Sequence, residues 1–251
     1  MTVLETKAQS GKRKLVVTHS HRVDFRNHLE SKKNYLFWKR VFDITFSSLI
    51  IVFLLSWLVP LIAVLIKLTS KGPVFFVQNR VGFLGKSFKC IKFRTMVVNP
   101  EANIKQAVED DPRITRLGFF LRNSNLDELP QFFNVLMGQM SIVGPRPHMH
   151  CDCYDFSIVV RNYKFRNITK PGITGLAQVK GYRGPAKDMD SIFKRYQWDS
   201  FYVRNQGFKL DLRVIGLTIV STVSGFVRLA FRKTKREEPA TYHMKTTELL
   251  N

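Results

Sequence analysis

The 251-residue chain is 45% hydrophobic and 12% aromatic, which excludes an intrinsically disordered protein and gives enough apolar material for one good core. Forty Lys and Arg against nineteen Asp and Glu leave a formal net charge of +21, so the partners are anionic: nucleic acid, the charged face of a membrane, or phosphorylated substrates. Three cysteines make no disulfide framework and suit a reducing compartment.

Residues 1–38 form a basic N-terminal arm with no apolar run long enough for a signal peptide; the first forty residues hold ten Lys or Arg and three acids. Such an arm adheres to anionic lipid headgroups or is simply a loose tail. Residues 39–70 contain an uncharged stretch, Ile44 to Ile66, whose 23 positions are enough to span a bilayer. Two features argue against a plain crossing. Pro60 removes a backbone donor within the run, and basic residues flank both ends, Lys32, Lys33, Lys39 and Arg40 before it and Lys67 and Lys71 after it. Under the positive-inside bias both ends face the cytosol, so the segment is expected to enter one leaflet, turn near Pro60 and return, with Ser56 helping the bend by bonding a carbonyl one turn back.

The expected catalytic domain covers residues 71–227. Lys71-Gly72-Pro73 is a turn, and the apolar positions from Val74 to Val77 and from Phe88 to Phe93 predict two strands of a hairpin. Gly85-Lys86-Ser87 invites a phosphate-loop reading, but that pattern requires glycine where Arg80 stands. Lys92 and Arg94 are candidates for holding phosphate oxygens, arginine through its fork; the alternative is an exposed basic strand edge. Residues 99–111 are polar and acidic and read as a solvated surface helix and loop.

Asp127 and Glu128 form an adjacent acidic pair in this basic chain, followed by the apolar run Phe132 to Met137 and the turn Gly144-Pro145-Arg146-Pro147. Ser124 and Asn125 are good N-caps with an acid three residues on, so a helix is expected to open here with both carboxylates at its positive end. An ionised carboxylate so placed can attack phosphorus, although acidic pairs in a first turn are commonly only caps.

His148, His150, Cys151 and Cys153 are spaced too tightly to wrap a tetrahedral ion. The basic and aromatic stretch from Arg161 to Lys170 reads as an interfacial helix, or as a surface for nucleic acid stacking. Phe193 to Tyr202 predicts a helix. Val214 to Val227 is uncharged over 14 residues, short for a span, and reads as an interfacial or packed helix. Residues 228–251 are a basic C-terminal tail. The fold class expected is α+β, mainly helical with a small β-hairpin, membrane-associated through a re-entrant segment and interfacial amphipathic helices.

Leu-Asp-Glu-Leu-Pro-Gln at 126–131, Phe-Asn-Val-Leu-Met-Gly-Gln-Met-Ser at 133–141, Gly-Pro-Arg-Pro at 144–147 and Pro-Gly-Ile-Thr-Gly-Leu-Ala-Gln at 171–178 together resemble the bacterial sugar transferases, the monotopic polyprenyl-phosphate phosphoglycosyl transferases. Lys92-Phe-Arg94-Thr-Met matches the family's basic motif, and the resemblance runs from Lys39 to about Leu217. Only the catalytic module of longer relatives is expected here. Where the family usually has Ser-Pro at the membrane break, this chain has Ser56-Trp57, with Pro60 three residues further on.

The resemblance implies transfer of a sugar-1-phosphate from a UDP-sugar to polyprenyl (undecaprenyl) phosphate, with release of UMP. It would be the first membrane step of polysaccharide, capsule or glycoconjugate synthesis, at the cytoplasmic face of a bacterial inner membrane. Asp127 would carry the phospho-sugar, and Glu128 would assist. Mg²⁺ would be held by Asp127 and Glu128, and Lys92, Arg94, Arg122, Arg146 and Gln178 would bind the phosphates and nucleotide. Anionic lipid and downstream glycosyltransferases would be partners, and nucleic acid would not. The alternative is a non-catalytic, membrane-anchored adaptor whose basic surface binds lipid or nucleic acid.

Overall fold

The computed structural model describes residues 32–99, 111–184 and 188–231. Most of the basic arm, most of the acidic stretch at 99–111 and all but the start of the C-terminal tail lie outside the described residues. Contacts divide the chain into two units, residues 1–42 and 43–251. In the first, Phe37 and Trp38 meet edge to face at 5.5 Å and the Lys39 ammonium lies over the Tyr35 ring.

No glycine interrupts the apolar segment, and it is helical throughout. Helix α1 spans Lys33–Ile50, a widened π turn follows at Ile51–Leu55, and α2 spans Ser56–Thr69. Together they make 37 helical residues, about 55 Å of helix. Among the described residues this is the one helix long and apolar enough to cross a membrane. The irregular turn lies ahead of Ser56 rather than at Pro60, and α2 continues through the proline. Two carbonyls of the widened turn are taken up locally: the Ser56 hydroxyl donates to Val52 O at 2.6 Å and the Trp57 indole N–H to Phe53 O at 3.0 Å.

The underside of α2 builds a core. Ile62 and Ile66 are buried with Phe93 and Leu121, and Leu58, Val59, Val74, Leu117 and Leu126 pack around them. Each such side chain contributes roughly 1.5–3 kcal/mol by leaving water. Phe93 ends β2 (Ser87–Phe93), which pairs antiparallel with β1 (Phe75–Val81) in the expected hairpin, from Phe75 opposite Phe93 to Val81 opposite Ser87. Leu121 belongs to α3 (Arg116–Asn123), whose first turn is capped by the Thr115 hydroxyl accepting from Gly118 N at 2.9 Å.

The next segment departs from expectation. Asn125 takes a positive φ of 61° and ends α3, the Ser124 hydroxyl donates back to Phe120 O, and Leu126–Glu128 is a single 3₁₀ turn. Ser124 and Asn125 therefore finish one helix instead of capping the next. The α4 helix opens only at Gln131 (Gln131–Leu136), after Pro130. From α4 the buried Asn134 side chain accepts from Ile91 N at 3.0 Å and donates to Lys89 O at 2.7 Å, fixing β2 alongside.

A second, parallel pair joins β3 (Ser141–Val143) to β4 (Gly172–Thr174). The backbones approach so closely that a Cβ on Gly172 would collide with the Gly144 amide nitrogen. On the far side of β3, Ile142 N donates to the buried Asp43 carboxylate of α1 at 3.0 Å. The remaining elements are α5 (His150–Val159), 3₁₀ turns at Tyr163–Ile168, the short α6 (Leu176–Val179), α7 (Met189–Asn205) and α8 (Phe208–Phe231). Tyr163 and Arg166 are almost fully buried, Arg166 against Asp199. The stretch expected as an interfacial helix is thus a run of 3₁₀ turns with Tyr163 and Arg166 in the interior, the arginine compensated by a carboxylate from α7, while Arg161 and Lys164 stay exposed.

Candidate active site

The 3₁₀ turn that replaces a helix start presents Asp127 and Glu128 on a buried shelf, next to Leu126, which packs on the α2 core. Three cations from three places in the fold converge on Glu128. Lys92, at the end of β2, reaches Oε1 at 2.8 Å. Arg146, in the loop after β3, spans both oxygens with a fork, at 2.6 and 3.2 Å. Arg183, in the loop after α6, reaches Oε2 at 3.0 Å. Burial alone would raise the Glu128 pKa, but the charges of Arg146, Lys92 and Arg183 outweigh it and hold the carboxyl well below the ordinary range.

Asp127 is in the opposite situation. Burial and then the Glu128 charge push its pKa up, against the pull of Lys92, Arg183 and Arg146. Among the described residues no hydrogen bond or ion pair reaches its carboxylate. Two adjacent acids thus differ in kind, one saturated by cations and one unpaired.

The loop that carries Arg146 is clamped from behind. Gly144 N donates to Thr174 O at 2.9 Å and Gly172 N to Pro145 O at 3.0 Å, which ties it to β4. The Arg166 guanidinium, paired with Asp199, donates to Arg146 O at 2.6 Å. The Arg195 guanidinium donates to Gly184 O, next to Arg183. Helix α7 therefore supplies Asp199 and Arg195, which hold the loops of two of the three cations.

Asp127, Glu128, Lys92 and Arg146 are brought together; among the described residues Arg94, Arg122 and Gln178 make no hydrogen bond or ion pair with them. Arg94 turns to the end of α2, donating to Ser70 O at 2.7 Å, to the Ser70 hydroxyl at 3.0 Å and to Lys71 O at 3.1 Å. Those are helix-end carbonyls, which a cation suits well. Arg122 lies in the last turn of α3. Gln178 sits on α6, its amide donating to Ile173 O at 3.3 Å while its buried carbonyl oxygen has no partner among the described residues. His148 and His150 diverge, His148 to the buried Tyr163 hydroxyl at 2.7 Å and His150 to the Ser87 hydroxyl at 2.6 Å. Arg183 carries no motif in the sequence, and the nearby glycines, Gly181 and Gly184, are the one local signal at its position.

A hard dication needs oxygen ligands and commonly takes one or two carboxylates together with substrate phosphates. The unpaired Asp127 carboxylate fits that requirement. Glu128 fits it only when some of its cations leave, since both of its oxygens are occupied.

The structure thus gathers a buried carboxylate pair and a ring of lysine and arginine next to the core that a long apolar helix builds. The chain belongs to the bacterial sugar transferase family, whose profile matches residues 34–225. It is 47% identical over 183 residues to a UDP-glucose:undecaprenyl-phosphate glucose-1-phosphate transferase of Klebsiella pneumoniae, covering 72% of this chain and 39% of that protein. It is 44% identical over 191 residues to the exopolysaccharide production protein PSS of Rhizobium leguminosarum bv. phaseoli, covering 74% of this chain and 95% of the relative. A UDP-glucose:undecaprenyl-phosphate glucose-1-phosphate transferase of Caulobacter vibrioides is 38% identical over 187 residues, covering 74% and 70%. The chain thus spans about two fifths of the Klebsiella relative and nearly all of the Rhizobium one.

Proposed function

We propose that this protein transfers a sugar-1-phosphate from a UDP-sugar to undecaprenyl phosphate through a phospho-sugar on Asp127. The observation that carries the reading is the division of labour in the acidic pair: Glu128 gathers Lys92, Arg146 and Arg183, while Asp127 stays unpaired beside them. An Asp127 carboxylate oxygen attacks the phosphorus that bears the sugar. The bond from that phosphorus to the oxygen bridging to the uridine phosphate breaks, and UMP leaves. A phosphate oxygen of the polyprenyl phosphate then attacks the same phosphorus, the aspartyl–phosphorus bond breaks, and the carboxylate is restored.

Positioning and charge stabilisation carry most of the work in phosphoryl transfer. Arg146 offers a fork that matches two phosphate oxygens, and Lys92 and Arg183 add point charge. Glu128 orients all three cations in the absence of substrate and yields them to the incoming phosphates. Mg²⁺ held by Asp127, and by Glu128 once its cations have moved, would neutralise pyrophosphate charge.

The reading includes a re-entrant anchor at the cytoplasmic face of the inner membrane. Its support is that both limbs of the apolar segment touch the unit that carries the acids. Asp43 and Phe46 of α1 meet Ile142 and Phe132, and Ile62 and Ile66 of α2 meet Phe93 and Leu121. A hydrocarbon core of about 30 Å cannot lie between two limbs that rest on one water-facing domain. Leu212, Ile219, Val220 and Val223 on α8 are exposed, in keeping with an interfacial helix.

The test is UMP release by the purified full chain in detergent, with a panel of UDP-sugars. Release that requires undecaprenyl phosphate for turnover, and that vanishes in Asp127→Asn, is the expected result. Absence of UMP with every UDP-sugar offered would overturn the reading.

A further inference from the structure

Arg80 is the cation of this site that Glu128 leaves unclaimed. It lies on β1, and it joins Lys92, Arg146, Cys90, Gln131 and Pro147 in lining a narrow hollow of about 10 Å³, room for a single oxygen-sized group. Among the described residues its one hydrogen bond is to Pro147 O, at 3.1 Å, and no carboxylate pairs with it. Burial lowers its pKa below the ordinary arginine value, and the Arg146 charge adds to this, against the opposing pull of Cys90, Asp152 and Glu128. Gathering cations in a partly enclosed wall is unfavourable unless an anion offsets them. Glu128 makes its ion pairs with Lys92 and Arg146, and with Arg183 on its other oxygen, and makes none with Arg80.

We infer that Arg80 is a further phosphate-binding residue, which takes a diphosphate oxygen in the hollow it shares with Lys92 and Arg146. The assignment rests on the transferase reading for the identity of the diphosphate, and on the charge arrangement alone for the existence of an anion site. The carbonyl bond to Pro147 holds the guanidinium at the wall, so little rotamer freedom is lost on binding. Because Arg80 need not first abandon a carboxylate, it engages the diphosphate before the cations that Glu128 holds.

Calorimetric titration of inorganic pyrophosphate into the full chain in detergent tests this, with wild type, Arg80→Gln and Arg80→Lys compared and the Tm of each measured. Arg80→Gln should weaken pyrophosphate binding by about tenfold or more, the range of a lost charge-assisted hydrogen bond. Arg80→Lys, which keeps the charge, should retain a large part of the affinity, and both variants should melt near the wild type. Wild-type affinity in Arg80→Gln would overturn the assignment, as would no pyrophosphate binding by the wild type. A lysine variant as weak as the glutamine one, with both melting far below wild type, would make Arg80 a support for the Pro147 loop instead. Failure of UMP release would sink the transferase reading and leave the pyrophosphate result untouched.

Discussion

Arg166 donates to the backbone carbonyl of Arg146 at 2.6 Å while its own charge is met by Asp199, so an ion pair in the core sets where an active-site arginine begins. The pair is almost wholly out of water. Removing one member strands the other.

Asp199→Asn should therefore destabilise the protein by about 3–5 kcal/mol, with Tm falling by on the order of 10 °C. Activity per folded molecule should also fall, because the Arg146 loop loses its clamp. Thermal melts and folded-fraction activities check both effects; an unchanged Tm would mean that the pair contributes nothing to the fold.

Arg94 and Arg146 are expected to separate cleanly. Arg94→Gln removes the bonds to Ser70 and Lys71 at the end of α2 and should lower Tm while leaving pyrophosphate affinity within about twofold. Arg146→Lys keeps the charge and loses the fork, so kcat/KM should fall about tenfold or more with Tm little changed. Interchanged outcomes would reverse the two assignments.

Asp127→Asn should abolish the covalent adduct and raise Tm. The pKa of Asp127 is raised by burial and by Glu128, so at neutral pH its charge opposes folding, and removing that charge relieves the site. Incubation with UDP-sugar followed by mass spectrometry should show a sugar-phosphate on wild-type Asp127 and on Glu128→Gln, formed slowly in the latter. An adduct on Glu128 would contradict the assignment.

His148 predicts a loss of stability on acidification. Burial, reinforced by Arg166, Arg195, Arg80 and Arg146, holds its pKa well below the ordinary value of 6.5, so the folded state keeps it neutral. The unfolded chain takes up a proton first as pH falls through about 6.5, and stability is lost from there down toward the folded pKa. The shift of Asp127 runs the other way, so the His148 contribution is read by difference. Tm measured from pH 8 to 5 should fall more steeply in wild type than in His148→Gln, and parallel curves would exclude the effect.

Single cysteines at Lys33 and Lys71, in a chain with Cys90, Cys151 and Cys153 replaced, should show the same sidedness toward an impermeant thiol reagent in intact cells. Opposite sidedness would mean that the apolar helix crosses the membrane.

The sequence by itself determined the elements whose signals are local. An uncharged run without glycine made α1 and α2, alternating apolar residues about a glycine turn made β1 and β2, and the family motifs marked Asp127, Glu128, Lys92 and Arg146. Tertiary structure decided which charges meet. Arg183 arrives at Glu128 from 55 residues away, because the β3–β4 pairing and the Arg195 bond to Gly184 set its loop there. Arg94, two residues from Lys92, is drawn instead to the open carbonyls at the end of α2. Arg166, which reads as a surface cation in a basic stretch, is interior because Asp199 waits on α7. A local pattern records which face of an element is apolar. The partner of a buried charge is chosen by whichever opposite charge the packed backbone brings within reach, since an unpaired charge inside costs more than any local preference.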